Sequence, residues 1–209
     1  MKLAPEGYPF IAGAAALSVL AALAVPLLAA PLVLVTGFMF YFFRDPERAV
    51  PAGPDLFVSP ADGKVIVVRD VREDRRLGRE ARQISIFMSP LNVHVNRAPC
   101  DGTVKTVLHS RGRFLAAYKD QASIQNENIE MVLDTAYGEV LVRQVAGFVA
   151  RRAVCRVRPG DRLQRGMRYG IIKFSSRVDV YLPMEAGVEV RTGDAVRAGE
   201  SVLARITAR

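Results

Sequence analysis

From residue 7 to residue 43 the chain carries no charged side chain, and no other feature restricts its folding as tightly. A lipid bilayer accepts such a run readily, since a helix needs only about 20 apolar residues to cross the hydrocarbon core. Residues 8–43 are too long for one straight crossing. Pro26 and Pro31 fall near the middle, where a ring without an amide proton breaks or kinks a helix. The expected structure is a hydrophobic helical hairpin with both ends on one side. A single crossing with an interfacial companion is the competing arrangement. A secretory leader fits less well, because only Lys2 precedes the apolar run and the run far exceeds a leader's core. Arg44 and Arg48 follow directly, and basic residues beside a membrane segment favour the cytoplasmic side. Residues 1–43 are therefore expected to anchor the chain at the cell membrane. Residues 44–209 are expected to form a domain facing the cytoplasm.

Lys2 and Glu6 cancel, so the net charge of +8 belongs wholly to the second part. A basic domain beside an apolar anchor suits an anionic membrane surface. Nucleic acid is the rival partner for a basic chain, but there is no zinc-ligand set, aromatic stacking motif or recognition-helix pattern to support it. Cys100 and Cys155 lie far apart without a CxxC or Cys/His spacing. Neither a metal nor redox chemistry is indicated, and reduced thiols suit the cytoplasm.

Beyond Pro51 the pattern is one of strands. Apolar stretches at 57–58 and 64–68 flank Asp62-Gly63; 84–88 and 93–95 follow, with a charge-rich stretch at 69–82 read as a solvated loop or hairpin tip. Cys100-Asp-Gly-Thr-Val104 is a second Asp-Gly turn entering a strand. Residues 112–128 are polar and interrupted, and read as a loop over a site, mobile until a substrate binds. Residues 129–133 and 139–144 form an expected hairpin around Tyr137-Gly138. Val157-Arg-Pro-Gly-Asp-Arg-Leu-Gln-Arg-Gly166 is then echoed by Val190-Arg-Thr-Gly-Asp-Ala-Val-Arg-Ala-Gly199. Each copy reads as a strand, a Gly-Asp turn, a short strand and a second glycine turn, which makes a tight β-corner. The expected fold is mainly β, a barrel-sandwich-like domain with this internal repeat, preceded by the hairpin. Lipoyl and biotinyl carriers share such turns, but their modified lysine would stand at a hairpin tip. Lys173, in an apolar strand, is the only lysine between the copies.

Between the repeats the chain reads Tyr169-Gly-Ile-Ile-Lys-Phe-Ser-Ser-Arg-Val-Asp-Val-Tyr-Leu-Pro183. Val178, Val180 and Leu182 alternate as in a half-buried strand. A hydroxyl held in a rigid sheet beside a strained peptide can attack the carbonyl before it. The amide becomes an ester, and elimination then breaks the chain. By themselves two serines are ordinary turn or strand residues; their company is what matters. Phe174-Ser-Ser-Arg-Val-Asp-Val-Tyr-Leu-Pro183 resembles the processing site of the phosphatidylserine decarboxylases in their short bacterial and archaeal form. Phe43-Arg-Asp-Pro-Glu-Arg48, Ser59-Pro-Ala-Asp-Gly-Lys-Val65 and Met88-Ser-Pro-Leu-Asn-Val-His-Val-Asn-Arg-Ala-Pro99 resemble other blocks of that family, in the same order. The likeness runs from about Phe43 to the C-terminus. That family has glycine where this chain has Ser175, and Ser-Ser is the processing pair of other pyruvoyl enzymes.

The resemblance implies self-cleavage between Ser175 and Ser176. The products would be a large chain of residues 1–175 and a small chain of residues 176–209 that begins with a pyruvoyl group derived from Ser176. It implies decarboxylation of phosphatidylserine to phosphatidylethanolamine, with that carbonyl forming a Schiff base with the substrate amine and acting as electron sink. His94 and Asp62 stand at the family's catalytic positions, with His94 as base and Asp62 orienting it. His109 and Asp101 lack that context and read as a surface residue and a plain turn. Arg177, with Arg44 and Arg48, is a candidate contact for phosphate or carboxylate, though solvated arginines are commoner. A homodimer is compatible with the sequence, which leaves the oligomeric state open. The alternative function is an unprocessed, membrane-anchored lipid-binding or scaffold homologue without decarboxylase activity, disabled at Ser175.

Overall fold

The apolar N-terminal run folds into two helices in the computed structural model, which describes residues 2–112, 126–147, 153–173 and 176–206. The chain divides into two units, residues 1–47 and 48–209. In the first, a 3-10 turn at Pro5–Gly7 leads into α1 (Tyr8–Ala24), and α2 (Pro26–Phe42) follows after one residue. The break falls at Val25, whose φ of −143° is not helical. Pro26 has no amide proton to continue α1 but is pre-shaped for the first position of a new helix. Pro31 lies inside α2. The Ser18 and Thr36 hydroxyls meet at 3.0 Å and join the two helices. At the base, Ala4 N–H donates to the Phe43 carbonyl and Asp45 N–H to that of Lys2, both at 2.8 Å. This is the hairpin expected from the prolines. Leu23, Leu27 and Leu34 are 80%, 87% and 75% exposed, an apolar surface suited to lipid rather than water. Residues Pro5–Ala24 are long and apolar enough to cross a membrane, and Pro26–Phe42 is shorter. One N-terminal helix of this length and composition points to membrane anchoring.

The second unit is built of strands: β1 (Leu56–Val58), β2 (Gly63–Glu73), β3 (Arg79–Met88), β4 (Val95–Arg97), β5 (Gly102–Ser110), β6 (Asn128–Thr135), β7 (Gly138–Ala146), β8 (Ala153–Cys155), β9 (Arg162–Leu163), β10 (Arg168–Ile172), β11 (Ser176–Leu182), β12 (Ala186–Val188), β13 (Ala195–Val196) and β14 (Val202–Ile206). Eight form one sheet in the order β13-β2-β3-β11-β7-β6-β5-β9; β1-β14-β12 and β4-β10-β8 form two small sheets. β2 and β3 reach further into the charge-rich stretch than its composition suggests. The reason lies across the ladder, where Asp70 faces Arg82, Arg72 faces Glu80 and Glu73 faces Arg79, so unlike charges stand opposite each other and like charges do not. The loop expected at 112–128 falls mainly on residues outside those described.

β11 lies between β3 and β7, with Ser176 opposite Met88 and Ala146 and Val178 opposite Ile86 and Gln144. Its alternation separates two environments. Val178, Val180 and Leu182 join the main apolar core with Ile84, Ile86, Met88, Val140 and Val142. Arg177, Asp179 and Tyr181 occupy the other face and are buried as well. There Arg143 donates to Glu130 at 2.7 Å, to Glu73 at 3.1 Å and to the Tyr181 hydroxyl at 2.6 Å. Arg76, from the β2–β3 turn, closes on Glu130 at 2.5 Å. Burial pushes the Glu130 carboxyl up, but Arg143 and Arg76 outweigh it and hold it below the usual range. A buried carboxylate ringed by guanidinium groups stays ionised.

The two repeats form matching corners. Gly160 and Gly193 have φ of 95° and 106°, and Gly166 and Gly199 of 78° and 76°, conformations in which only glycine is unstrained. In the first, Gly160 N–H donates to Val104 O and Val104 N–H to Asp161 O; in the second, Gly193 N–H donates to Val65 O and Val65 N–H to Asp194 O. β9 thereby pairs with the start of β5, and β13 with the start of β2.

Candidate active site

Ser176 opens β11, is fully buried and donates from Oγ to the Met88 thioether at 3.4 Å. Ser175, the residue expected before the cut, lies outside the described residues. Met88 is also approached by Asn96 Nδ2 at 3.8 Å, and that amide reaches the Pro60 carbonyl at 3.4 Å. Residues from three of the blocks read in the sequence are therefore linked here: Ser176 and Asn96 through the Met88 sulfur, and Asn96 in turn to Pro60.

His94 is fully buried just before β4, and its carbonyl receives the Ile172 N–H at 3.3 Å. Its ring Nδ1 lies 3.0 Å from the Asn92 carbonyl. A carbonyl only accepts, so Nδ1 carries the proton and Nε2 is the basic nitrogen. The Ser-Pro-Leu-Asn sequence explains why Asn92 is fixed. Its Oδ1 accepts from both the N–H and the hydroxyl of Ser89, each at 2.8 Å, a turn closed by an Asn side chain. His94 and Asn96 are two residues apart on an extended segment and so share a face.

Asp62 is engaged elsewhere than the sequence suggests. Arg48 Nη2 donates to both carboxylate oxygens, at 3.0 and 2.8 Å, and Ala198 N–H donates to Oδ1 at 2.8 Å. Arg48 also reaches Glu200 at 3.4 Å. The expected orienting carboxylate is thus bound to an arginine, and the Asn92 carbonyl holds the histidine. Among the described residues, the hydrogen bonds that place these three side chains run from Ser176 to Met88, between the His94 ring and Asn92, and to Asp62 from Arg48 and Ala198. Arg48, expected to contact substrate or headgroups, has a side chain only 7% exposed. Arg177, also expected to bind substrate, donates to Asp179 at 2.5 Å and to the Ser85 hydroxyl at 2.8 Å. It does so on the face opposite Ser176, as strict strand alternation requires. His109 pairs with Glu127 at 3.1 Å on an exposed strand.

Two residues near Ser176 went unnoticed in the sequence. Asn96 and Gln144 are buried and joined at 2.8 Å, Gln144 Nε2 donating to Asn96 Oδ1. A signal for Gln144 was available: it follows Val140 and Val142 in a period-2 apolar register, where a polar side chain is out of place. Space for it comes from Gly170, where a Cβ would stand 2.2 Å from the Val154 carbonyl and 3.0 Å from Gln144 Nε2. Burial pushes the Cys100 thiol up to about 12 and raises that of Cys155, so both are protonated at neutral pH and poor nucleophiles.

The profile of the family described as phosphatidylserine decarboxylase matches residues 35–204. The chain is 47% identical over 208 residues to the phosphatidylserine decarboxylase proenzyme of Geobacter metallireducens, covering 96% of this chain and 95% of that protein. It is 46% identical over 208 residues to the proenzyme of the same description from Desulfotalea psychrophila, covering 99% and 97%. It is 48% identical over 203 residues to that of Geotalea uraniireducens, covering 96% and 95%.

Proposed function

Because the chain belongs to the phosphatidylserine decarboxylase family, we propose that it converts phosphatidylserine to phosphatidylethanolamine with a pyruvoyl group made from its own Ser176. The observation that carries this reading is the setting of Ser176. It is fully buried, and the strand it opens is paired on both sides with β3 and β7. A peptide entering such a strand is held on its C-terminal side by rigid structure, the condition under which an unusual peptide geometry persists.

In maturation His94 takes the hydroxyl proton of Ser176, and the oxygen attacks the carbonyl carbon of residue 175. The C–N bond of that amide breaks as its nitrogen takes a proton, which leaves an ester. Loss of the α-hydrogen of residue 176 expels the carboxylate of residue 175 and forms a carbon–carbon double bond. Water then replaces the nitrogen and ammonia leaves. A thioether is a weak acceptor, so turning the hydroxyl away from Met88 costs little. The products are residues 1–175, ending in a carboxylate, and residues 176–209. The small chain stays attached because β11, β13 and β14 pair with β3, β7, β2 and β1 of the large chain.

The site suits the group. A pyruvoyl unit is uncharged and places a methyl where serine has its hydroxymethyl, and Met88 and Ala146 beside it are apolar. Its carbonyl supplies the electron-withdrawing centre that stabilises charge when CO2 leaves, the role pyridoxal phosphate fills in other enzymes. His94 returns a proton to the substrate carbon. Asp62 contributes by fixing Arg48 and the Ala198 turn, and Arg177 by securing β11 from behind. The helices hold the catalytic unit at the membrane, facing the cytoplasm by the placement of Arg44.

Intact mass and a denaturing gel test the proposal. Purified protein should separate into two chains, with cleavage before residue 176 and a borohydride-reducible carbonyl on the small one, while Ser176→Ala stays whole. A wild-type chain that remains single and carries no such carbonyl in native lipid would favour the scaffold reading.

A further inference from the structure

One buried acceptor remains when the polar contacts beside Ser176 are traced. Asn96 Nδ2 faces the Pro60 carbonyl, which turns Asn96 Oδ1 toward Gln144, and Gln144 Nε2 donates to it. The chain of contacts fixes both amides, since flipping Gln144 alone would set two oxygens against each other. Gln144 Oε1 is then buried with no hydrogen-bond donor among the described residues, in a residue 1% exposed. Leaving an amide oxygen dry costs stability, and buried polar groups are nearly always satisfied. A plain core residue at this position would avoid the cost, as Val140, Val142 and Ala146 do on the same face.

The register shows what stands nearby. Gln144 is opposite Val178, and Ala146 is opposite Ser176, so Gln144 is the diagonal neighbour of Ser176 on the same face. Diagonal neighbours lie about 7 Å apart, within reach of a long side chain. Both reactions proposed at residue 176 bring an N–H donor there: the substrate amine arrives, and ammonia departs during maturation. We infer that Gln144 Oε1 is the acceptor that receives the N–H of the incoming primary amine and orients its nitrogen toward the carbonyl at residue 176. Asn96 is the positioning residue that holds the amide in that orientation. The inference rests on Ser176 as the pyruvoyl residue. It assigns selection for a primary amine to a named atom.

The test follows capture of the amine rather than turnover. Matured wild type, Gln144→Met and Gln144→Glu are incubated with mixed micelles of increasing phosphatidylserine content and cyanoborohydride, and the small chain is weighed. Methionine keeps the bulk and loses the acceptor; half-maximal trapping should need about tenfold more lipid, the worth of one hydrogen bond. Glutamate keeps an acceptor oxygen and should stay within about threefold of wild type. Equal trapping by the methionine variant, or equal loss in both variants, overturns the assignment and leaves Gln144 a packing residue. If Gln144→Met does not mature, the same titration on Gln144→Asn decides, because its acceptor is drawn back by one methylene; a similar loss is expected, and unchanged trapping overturns the inference. Borohydride reduction without amine separates the two levels. Wild type lacking any reducible carbonyl overturns the pyruvoyl reading, and this inference with it; a normal carbonyl with unaltered trapping in the variants overturns this inference alone.

Discussion

The two corner repeats are near copies, yet they support different strands. In one, Asp101 Oδ1 accepts the N–H of Arg165 at 2.7 Å; in the other, Asp62 Oδ1 accepts the N–H of Ala198 at 2.8 Å. Arg165 and Ala198 are equivalent positions of the repeat, and each aspartate precedes the glycine that opens a long strand, β5 or β2. The carboxylate singled out as catalytic and the one dismissed as a turn residue thus perform the same structural task. They differ in what else they hold. Asp101 is exposed, whereas Asp62 is 9% exposed and carries Arg48 on both oxygens. A latch common to both corners is scaffold; the Arg48 guanidinium seated on the latch carboxylate belongs to the side that carries the family's Asp-Gly block.

The sharpest way to break that equivalence is to neutralise each carboxylate in the uncleaved Ser176→Ala background, so that stability is separated from maturation. Asp62→Asn leaves Arg48 buried with Glu200 as its one counter-ion among the described residues, and should cost about 3 kcal/mol in urea unfolding, the scale of a broken buried pair. Asp101→Asn loses part of one exposed hydrogen bond and should cost about 1 kcal/mol or less. Equal costs would mean that the Arg48 pair adds nothing beyond the shared latch.

The glycine after each aspartate gives the next contrast. A Cβ on Gly63 would stand 2.1 Å from the Phe87 carbonyl oxygen, and one on Gly102 would stand 2.8 Å from that of Asp134. Backbone cannot yield as a side-chain tip can, so Gly63→Ala should cost about 3 kcal/mol and Gly102→Ala about 1 kcal/mol, the two ends of the overpacking range. Thermal unfolding of the pair measures this; a larger loss at Gly102 would contradict the tighter fit of β2 on β3.

Much of this was legible in the sequence because it depends on short-range chemistry. The prolines at 26 and 31 announced a hairpin, the duplicated Gly-Asp turns announced the corners, and alternation announced β11. Alternation also puts Arg177 on the face opposite Ser176, beside Asp179 and Ser85, and that placement could have been deduced. What the sequence could not supply was partnership across long separations. Nothing near Asp62 says that Arg48 and Ala198 will consume its oxygens, or that a carbonyl two residues before His94 will fix the ring. Gln144 is an intermediate case: its register was readable, while the amide of Asn96 that pins it belongs to a different sheet.

The smallest predicted difference is one on which the corners should agree before cleavage and part afterwards. Gly160 and Gly193 both have positive φ, and a Cβ on either meets nothing within 4 Å. Alanine at each should therefore cost about 1–2 kcal/mol through backbone strain alone, with matching shifts in the urea midpoint of the Ser176→Ala chain. Maturation removes the symmetry. Gly160 and its partner Val104 both remain in residues 1–175, but Gly193 passes to the small chain while Val65 stays behind, so their contacts become contacts between chains. In matured protein, Gly193→Ala should release the small chain at a lower urea concentration than wild type on size-exclusion chromatography, whereas Gly160→Ala should leave its release unchanged. If both variants release it alike, the second corner is no more a clasp between the two chains than the first.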